Sequence, residues 1–400
     1  MIDFGAHGRH SATMNKTETE KPLTDAEKLA QLRLIRTEGI GPVTFKGLLA
    51  RFGNAIEALE GAVELAKKNG RKKPLVPPTA TAAESELERI ERAGGHALFL
   101  RDAHYPAQLA ALEDAPPVLF AMGRLELLNT RGVGIVGARN ASVSGLKLTR
   151  TLAGALADAG ITVTSGLARG IDTAAHQAAI EHATIACVAG GLDIFYPPEN
   201  EALQRQIAEN GLLVSEMPMG TRPQARHFPR RNRLISGLSV GVLVVEAALK
   251  SGSLITARFA LEQGRDVFAI PGSPLDPRAK GGNRLIKDGA ILVENADDIL
   301  NELPAVVDYG HTPRPHSAPN SALGAQKGTP IGPISPAPSR DAPSAPGDLL
   351  GLLSSTPIHM DEVVRQSGAS AEAVMAAFLE LELAGEITRH SGGRVSRNYP

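Results

Sequence analysis

Apolar residues along this chain follow two rhythms, and the change between them divides it. From about residue 24 the spacing is helical. AEKLAQLRLIR places its apolar positions on one face, and Thr24 before it is a candidate N-cap, with Lys28 rather than Glu near the capping-box position. GIGP (Gly39 to Pro42) reads as a tight turn, and VTFKGLLARFG as a second helix. Such a helix, G-x-G-P turn and helix fits a helix-hairpin-helix or sterile-alpha-like unit whose backbone N–H groups face a DNA phosphate. G-x-G is a short and common signal, and the pattern fits better an ordinary αα-hairpin packed on its neighbour.

Residues 76–130 carry prolines and read as a connector with one or two short strands. From Gly132 the rhythm becomes apolar runs alternating with amphipathic stretches. VGIVG, ITVTSG, TIACVAGG, LLVSE, VGVLVVEA, DVFAIPG and AILV read as strands. SGLKLTRTLAGALADAG, IDTAAHQAAIEH and ENEALQRQIAENG read as helices, with more near 231–238, 253–264 and 283–288. Strands apolar throughout, separated by amphipathic helices, predict a doubly wound, mostly parallel sheet covered on both faces. Residues 304–346 hold ten prolines and few large apolar residues. That composition predicts a disordered linker. Beyond it, GDLLGLLSS, MDEVVRQSG and SAEAVMAAFLELELAG read as three helices, and EITRHSGGRVSRNY as a hairpin turning at Gly392 and Gly393. That order is a winged-helix layout.

The expected organisation is a disordered tail at 1–20, an all-α module at 21–75, the α/β domain at 76–303, the linker at 304–346 and a winged-helix module at 347–400. With 42 basic and 43 acidic residues the net charge is −1, so no global field attracts nucleic acid and any anion site must be local. Trp is absent and aromatics make up 4%, which limits stacking platforms. Cys187 is the single cysteine, so an intrachain disulfide is excluded and a reducing cytoplasm is expected. No run of 18 apolar residues suggests a membrane span.

Gly132, Gly134 and Gly137 spell G-x-G-x-x-G, but two of the three fall before or inside the first strand rather than after it. Thr164 and Ser165 stand where a ribose-binding acid would close the second strand, so a dinucleotide site is rejected. No G-x-x-x-x-G-K-[ST] occurs either.

The turns after the strands carry the chemistry. GARNASVSG offers Gly137 for a close turn, Ser142 and Ser144 as hydroxyls, Gly145 at a helix start and Arg139 as a charge-assisted donor. SGLARGID repeats the recipe with Ser165, Gly166, Arg169 and Gly170; Asp172 and His176 read as helix residues rather than catalysts. AGGLDIFYPPEN holds Gly190, Gly191, Asp193, Tyr196, Pro197 and Asn200 in a loop that either shapes the edge or contacts a ligand. From Arg222 to Arg233 there are five arginines, one histidine and no acid. Within that run Phe228 is available to stack on a base, and Arg231, Asn232 and Arg233 lead into a helix. Lys250, Ser251, Gly252 and Ser253 form a third anion cradle after the strand ending near Glu246, itself a buried ion partner or a ribose acceptor. Several cradles along one sheet edge suit a polymer of phosphates better than a mononucleotide.

Together VGIVGARNASVSG, SGLARGIDTAAH, AGGLDIFYPPEN, SEMPMG, HFPRRNRLISGLS, VVEAALKSGSLITA and GRDVFAIPG resemble, in order and spacing over about 165 residues, the DNA-processing protein A (DprA/Smf) family. The resemblance implies an extended Rossmann-like core that binds single-stranded DNA without sequence preference. It also implies protection of incoming strands in natural transformation, a homodimer, loading of the recombinase RecA, and neither catalysis nor a cofactor. It assigns the strand pocket to Arg139, Ser144, Gly145, Arg169, Phe228, Arg231, Asn232, Arg233, Lys250 and Ser253. The chain departs from several relatives in having Ala225 where they carry a basic residue, with Arg226 beside it. Two other function classes fit the sequence less well. A phosphoribohydrolase needs a PGGxGTxxE-type loop, and AGGLDIFYP lacks its Gly-Thr and Glu. A transcription regulator needs a basic recognition helix, and residues 370–384 carry Glu372, Glu380 and Glu382 with no Lys or Arg.

Overall fold

The structure is a computed structural model that describes residues 23–102, 104–303, 349–390 and 392–398. The predicted tail at 1–20 and linker at 304–346 lie outside the described residues.

In chain order the elements are α1 (Asp25–Ile35), α2 (Pro42–Phe52), α3 (Ala55–Lys68), α4 (Ala80–Arg92), β1 (His96–Phe99), α5 (Ala107–Ala110), β2 (Val118–Gly123) and β3 (Gly132–Val136). Next come α6 (Val143–Asp158), β4 (Thr162–Ser165), α7 (Ile171–Ala179), β5 (Thr184–Cys187), α8 (Glu201–Asn210), β6 (Leu212–Ser215), α9 (His227–Gly237) and β7 (Gly241–Val244). Then follow α10 (Ser253–Glu262), β8 (Asp266–Ala269), α11 (Lys280–Lys287), β9 (Ile291–Leu292) and α12 (Asp297–Leu300). The last described segment holds β10 (Ile358–His359), α13 (Met360–Ser367), α14 (Ala371–Ala384), β11 (Ile387–His390) and β12 (Arg394–Arg397).

Nine strands form one sheet in the order β1-β2-β6-β5-β4-β3-β7-β8-β9. From β6 to β9 every neighbour is parallel. Strands β3 to β7 are buried at every position, as their unbroken apolar runs require in a sheet covered twice. Leu152 and Ala153 of α6 and Ala175 of α7 pack on Val133, Ile135 and Phe268. Ile235 of α9 and Ala257 of α10 pack with Val136, Val242 and Val244. These alternate strand positions face opposite sides, so the fold is doubly wound. The expected fold class is therefore the observed one.

Three expectations need correction. The segment 76–130 holds the two short strands expected of it, which extend the sheet antiparallel, β2 on β6 and β1 on β2, but it also holds an unexpected helix, α4. A third helix, α3, follows the predicted pair. The helix expected near 231 begins at His227, so Phe228 sits in its first turn. Other local signals act as anticipated. Thr24 caps α1 by accepting from the Glu27 amide. Gly39, at φ 90°, turns the chain into α2, where Pro42 occupies the first turn. Near the C-terminus β10, β12 and β11 form a small sheet beside α13 and α14, and both hairpin glycines have positive φ.

Candidate nucleic-acid interface

The sheet order reverses at β3. Strands β4, β5 and β6 succeed one another on one side of it, and β7, β8 and β9 on the other. The loops leaving β3 and β7 therefore diverge, α6 to one face and α10 to the other. A crevice opens outside their carboxyl ends, the general ligand position in open α/β sheets. A cavity of about 540 Å³ lies there. Gly137, Arg139 and Asn140 line it from the β3 loop, and Lys250, Ser251, Gly252 and Ser253 from the β7 side. An adjoining cavity of about 200 Å³ runs over β4 and β5, lined by Gly166, Arg169, Val188 and Tyr196 among others. Arg139, Ala168, Phe228 and Arg231 belong to both cavities.

Helix periodicity decides which residues of the arginine run reach this crevice. Phe228, Arg231, Asn232 and Ile235 follow i, i+3, i+4, i+7 spacing and all face it. Arg231 is 6% exposed, and its Nε and Nη1 have no hydrogen-bond partner among the described residues. Its nearest acid is Asp172, 4.0 Å from Nη1. The Asp172 carboxylate is itself occupied, accepting from the backbone N–H of Gly166 at 3.2 Å and Ala168 at 3.3 Å. Burial pushes the Asp172 carboxyl up and the Arg231 guanidinium down. A cation held out of water with open donors is costly, and an incoming anion relieves that cost. Gly166 makes the placement possible, since a Cβ there would lie 1.2 Å from Arg231 Nη1.

Phe228 sits between Tyr196, with ring centroids 5.6 Å apart, and the Arg139 guanidinium at 5.5 Å. An aromatic ring beside a cation suits both a base and its phosphate. Lys250 is exposed at the rim. Arg169 is also exposed, 3.9 Å from Glu199. Ser251 Oγ and Ser253 Oγ are 2.6 Å apart at the start of α10, and Asn232 Nδ2 donates to the Gly252 carbonyl at 3.4 Å.

Several residues expected at the site are engaged elsewhere. Glu246 fills the N-terminus of α6, accepting from the Ser142 N–H at 2.9 Å and the Ser142 hydroxyl at 2.5 Å. Ser142 Oγ in turn caps the Gly145 amide, and a Cβ at Gly145 would meet the Glu246 carboxylate at 2.7 Å. The first supposed cradle thus already holds an anion, and it is the chain's own. Ser144 is exposed and lines neither cavity. Ser165 is fully buried and donates to the Ile135 carbonyl at 2.6 Å. Gly170, at φ 79°, packs against the Ala138 carbonyl and shapes the turn. Arg233 points away from the crevice into a buried ion pair with Glu216 and donates to the Asp114 carbonyl at 2.5 Å.

The loop after β5 divides between two roles. Asp193 accepts from the Gly220 amide at 2.8 Å, and Asn200 donates to the Leu167 carbonyl at 2.9 Å, so both shape the edge. Tyr196 lines the smaller cavity. The expected strand pocket did not include it, although its place in the loop after a buried strand marked it as a candidate, nor did it include Arg278, which lines the larger cavity. His176 bonds Thr184 Oγ1 at 2.7 Å, and burial lowers its pKa to about 3. That makes it a structural group.

Comparison with known proteins decides the affiliation. The family model described as DNA recombination-mediator protein A matches residues 96–304, which hold the whole crevice. The chain belongs to the DNA-processing protein A (DprA/Smf) family. Two further models of the family match, the DprA-like N-terminal HHH domain at 25–88 and the DprA winged helix domain at 333–393. Protein Smf of Escherichia coli (strain K12) is 42% identical over 316 residues, 78% of this chain and 80% of that protein. Protein Smf of Synechocystis sp. is 33% identical over 405 residues, 94% of this chain and all of that one. The X-ray structure of DNA processing protein A from Streptococcus pneumoniae is similar with a TM-score of 0.62 and 35% identity, covering 71% of this chain and 99% of that one. No helix among the described residues is long and apolar enough to cross a membrane.

Proposed function

We propose that this DprA/Smf family member binds single-stranded DNA without sequence preference in the crevice at the carboxyl ends of β3 and β7. The observation that carries the reading is Arg231, a buried guanidinium with two open donors set between two cavities and flanked by Arg139, Phe228 and Lys250. Phosphates meet Arg231, Arg139, Lys250 and the Ser251–Ser253 turn, while a base stacks on Phe228. None of these contacts reads a base edge, so affinity is independent of sequence. The affiliation with the DprA/Smf family suggests the wider role: protection of incoming strands and loading of RecA in natural transformation, by a homodimer and without bond-making chemistry, with which a site that holds a strand by its backbone is compatible.

The test is the salt dependence of binding. Each single-strand phosphate contact contributes about −0.7 to the log–log slope of affinity against salt. Arg139→Ala and Lys250→Ala are expected to weaken homopolymeric and mixed strands alike and to flatten the slope by about that amount each. Fluorescence anisotropy over a salt series reads both quantities. Unchanged single-strand affinity in both variants overturns the assignment of the crevice.

A further inference from the structure

The turns that follow β7 and β8 are tied together by two hydrogen bonds. The Ala247 N–H donates to the Arg278 carbonyl and the Gly281 N–H donates to the Ala247 carbonyl, both at 2.7 Å. Glycine is required at 281, because a Cβ there would lie 2.5 Å from the Ala247 carbonyl oxygen. Asn283 fixes the other end of the second turn. It accepts from the Gly272 N–H at 3.1 Å and donates to the Gly272 carbonyl at 2.8 Å. Residues 272–281, between β8 and α11, are therefore a braced turn rather than a loose connection.

This turn holds an apolar side chain out in water next to cations. Leu275 is 92% exposed, and Leu249, two residues beyond Ala247, is 60% exposed. Lys250 and Lys280 are exposed on the same two turns. Arg278 lines the larger cavity together with Lys250, Ser251 and Asn232. Asp276 is the single acid among residues 271–287, and it is already engaged. It accepts from Arg278 Nε at 3.1 Å and from Nη2 at 2.9 Å, a fork in which Nη1 takes no part. The Arg278 and Asp276 side chains are 42% and 32% exposed. A pair that open to water is weak, so a phosphate can share the guanidinium. At the other end of the crevice the exposed cation, Arg169, faces Glu199 instead. Two apolar side chains among three cations, with the one nearby acid paired, match a strand that presents bases and phosphates in alternation.

We propose that the strand leaves the crevice over the turn between β8 and α11, where Arg278 takes a phosphate beyond the one at Lys250 and Leu275, with Leu249, supports a base. Asp276 positions the guanidinium and also competes for it, so this carboxylate limits how tightly the strand is held there. The proposal rests on the crevice being a single-strand site and lengthens that site on one side.

The full-length chain and oligothymidylates of about 4–16 nucleotides test this by fluorescence anisotropy over a salt series. Arg278→Ala is expected to weaken the longer strands by about threefold or more, to flatten their salt slope by about 0.7 and to leave the shortest strands unchanged. Leu275→Ala is expected to weaken the longer strands by about threefold with the slope unchanged, because an apolar contact releases no counterion. On an abasic strand of the same length Leu275→Ala is expected to have no effect. Asp276→Asn is expected to raise long-strand affinity by about twofold or more, since the guanidinium is then free for phosphate. If the Arg278–Asp276 pair only shapes the turn, loss of either partner weakens binding, so Asp276→Asn gives the opposite sign. Unchanged long-strand affinity in either Arg278→Ala or Leu275→Ala overturns the proposal, and so does a fall in affinity with Asp276→Asn. Arg139→Ala and Lys250→Ala act on strands of every length. If they weaken all strands while Arg278→Ala and Leu275→Ala do nothing, the rim fails and the crevice stands. If they too do nothing, the crevice itself fails.

Discussion

At the scale of single residues, burial decides what each ionisable group does. His176 sits in α7 with its Nδ1 on Thr184 and its pKa lowered to about 3, against 6.5 for a free histidine. Between those values the unfolded chain takes up a proton that the folded chain refuses. Stability from this group is therefore complete above about pH 6.5 and falls as the pH drops toward about 3, by about 1.4 kcal/mol per unit. Replacing His176 with Gln is expected to flatten the acid limb of a urea-denaturation pH series by the share of one proton. An unchanged limb would place the acid sensitivity elsewhere. Cys187 shows the same rule with the opposite sign, since burial raises its thiol to about 12 and keeps it protonated. Neither outcome is visible in the residue alone. Histidine one turn into a helix is a structural group or a base depending on what closes over it.

At the scale of elements, the arginine run shows why a linear reading stops short. Arg231 and Arg233 look equivalent in HFPRRNR while that segment is taken as an approach to a helix. Once the helix begins at His227, two residues turn the side chain through about 200°. Arg231 then faces the crevice and Arg233 faces Glu216. Burial pushes the Glu216 carboxyl up, with Arg233 opposing. Arg233→Ala is expected to cost about 3–5 kcal/mol of stability by leaving that carboxylate buried and unpaired. Single-strand affinity of the folded fraction should survive, whereas Arg139→Ala should show the reverse pattern in the same pair of assays. The apolar strands and their helices were legible because a twice-covered sheet leaves no polar alternation to confuse with anything else. Helix α4 was not, since prolines precede it and only Ala83, Leu87 and Ile90 mark its apolar face. The Gly/Ser/Arg turns were legible as a class but not one by one. Ser142 looked like a phosphate ligand until Glu246, more than a hundred residues later, proved to be its partner.

At the scale of the whole molecule, a nearly neutral chain gathers its anion chemistry by topology. The reversal of strand order at β3 brings together loops separated by more than a hundred residues, and α9 supplies the wall between two cavities. The same economy joins the chain's ends, because Leu379 and Leu383 complete an apolar core otherwise built between Leu34 and Leu75. That shared core has a consequence for synthesis. The helical module leaves the ribosome early, yet its last packing partners are encoded about 300 residues later. At ordinary elongation rates of about 5–20 residues per second, the module waits roughly 15–60 s for them with one face uncovered. Nascent chains arrested before α14 emerges are expected to be cut within residues 23–75 by a protease that leaves the released protein intact there.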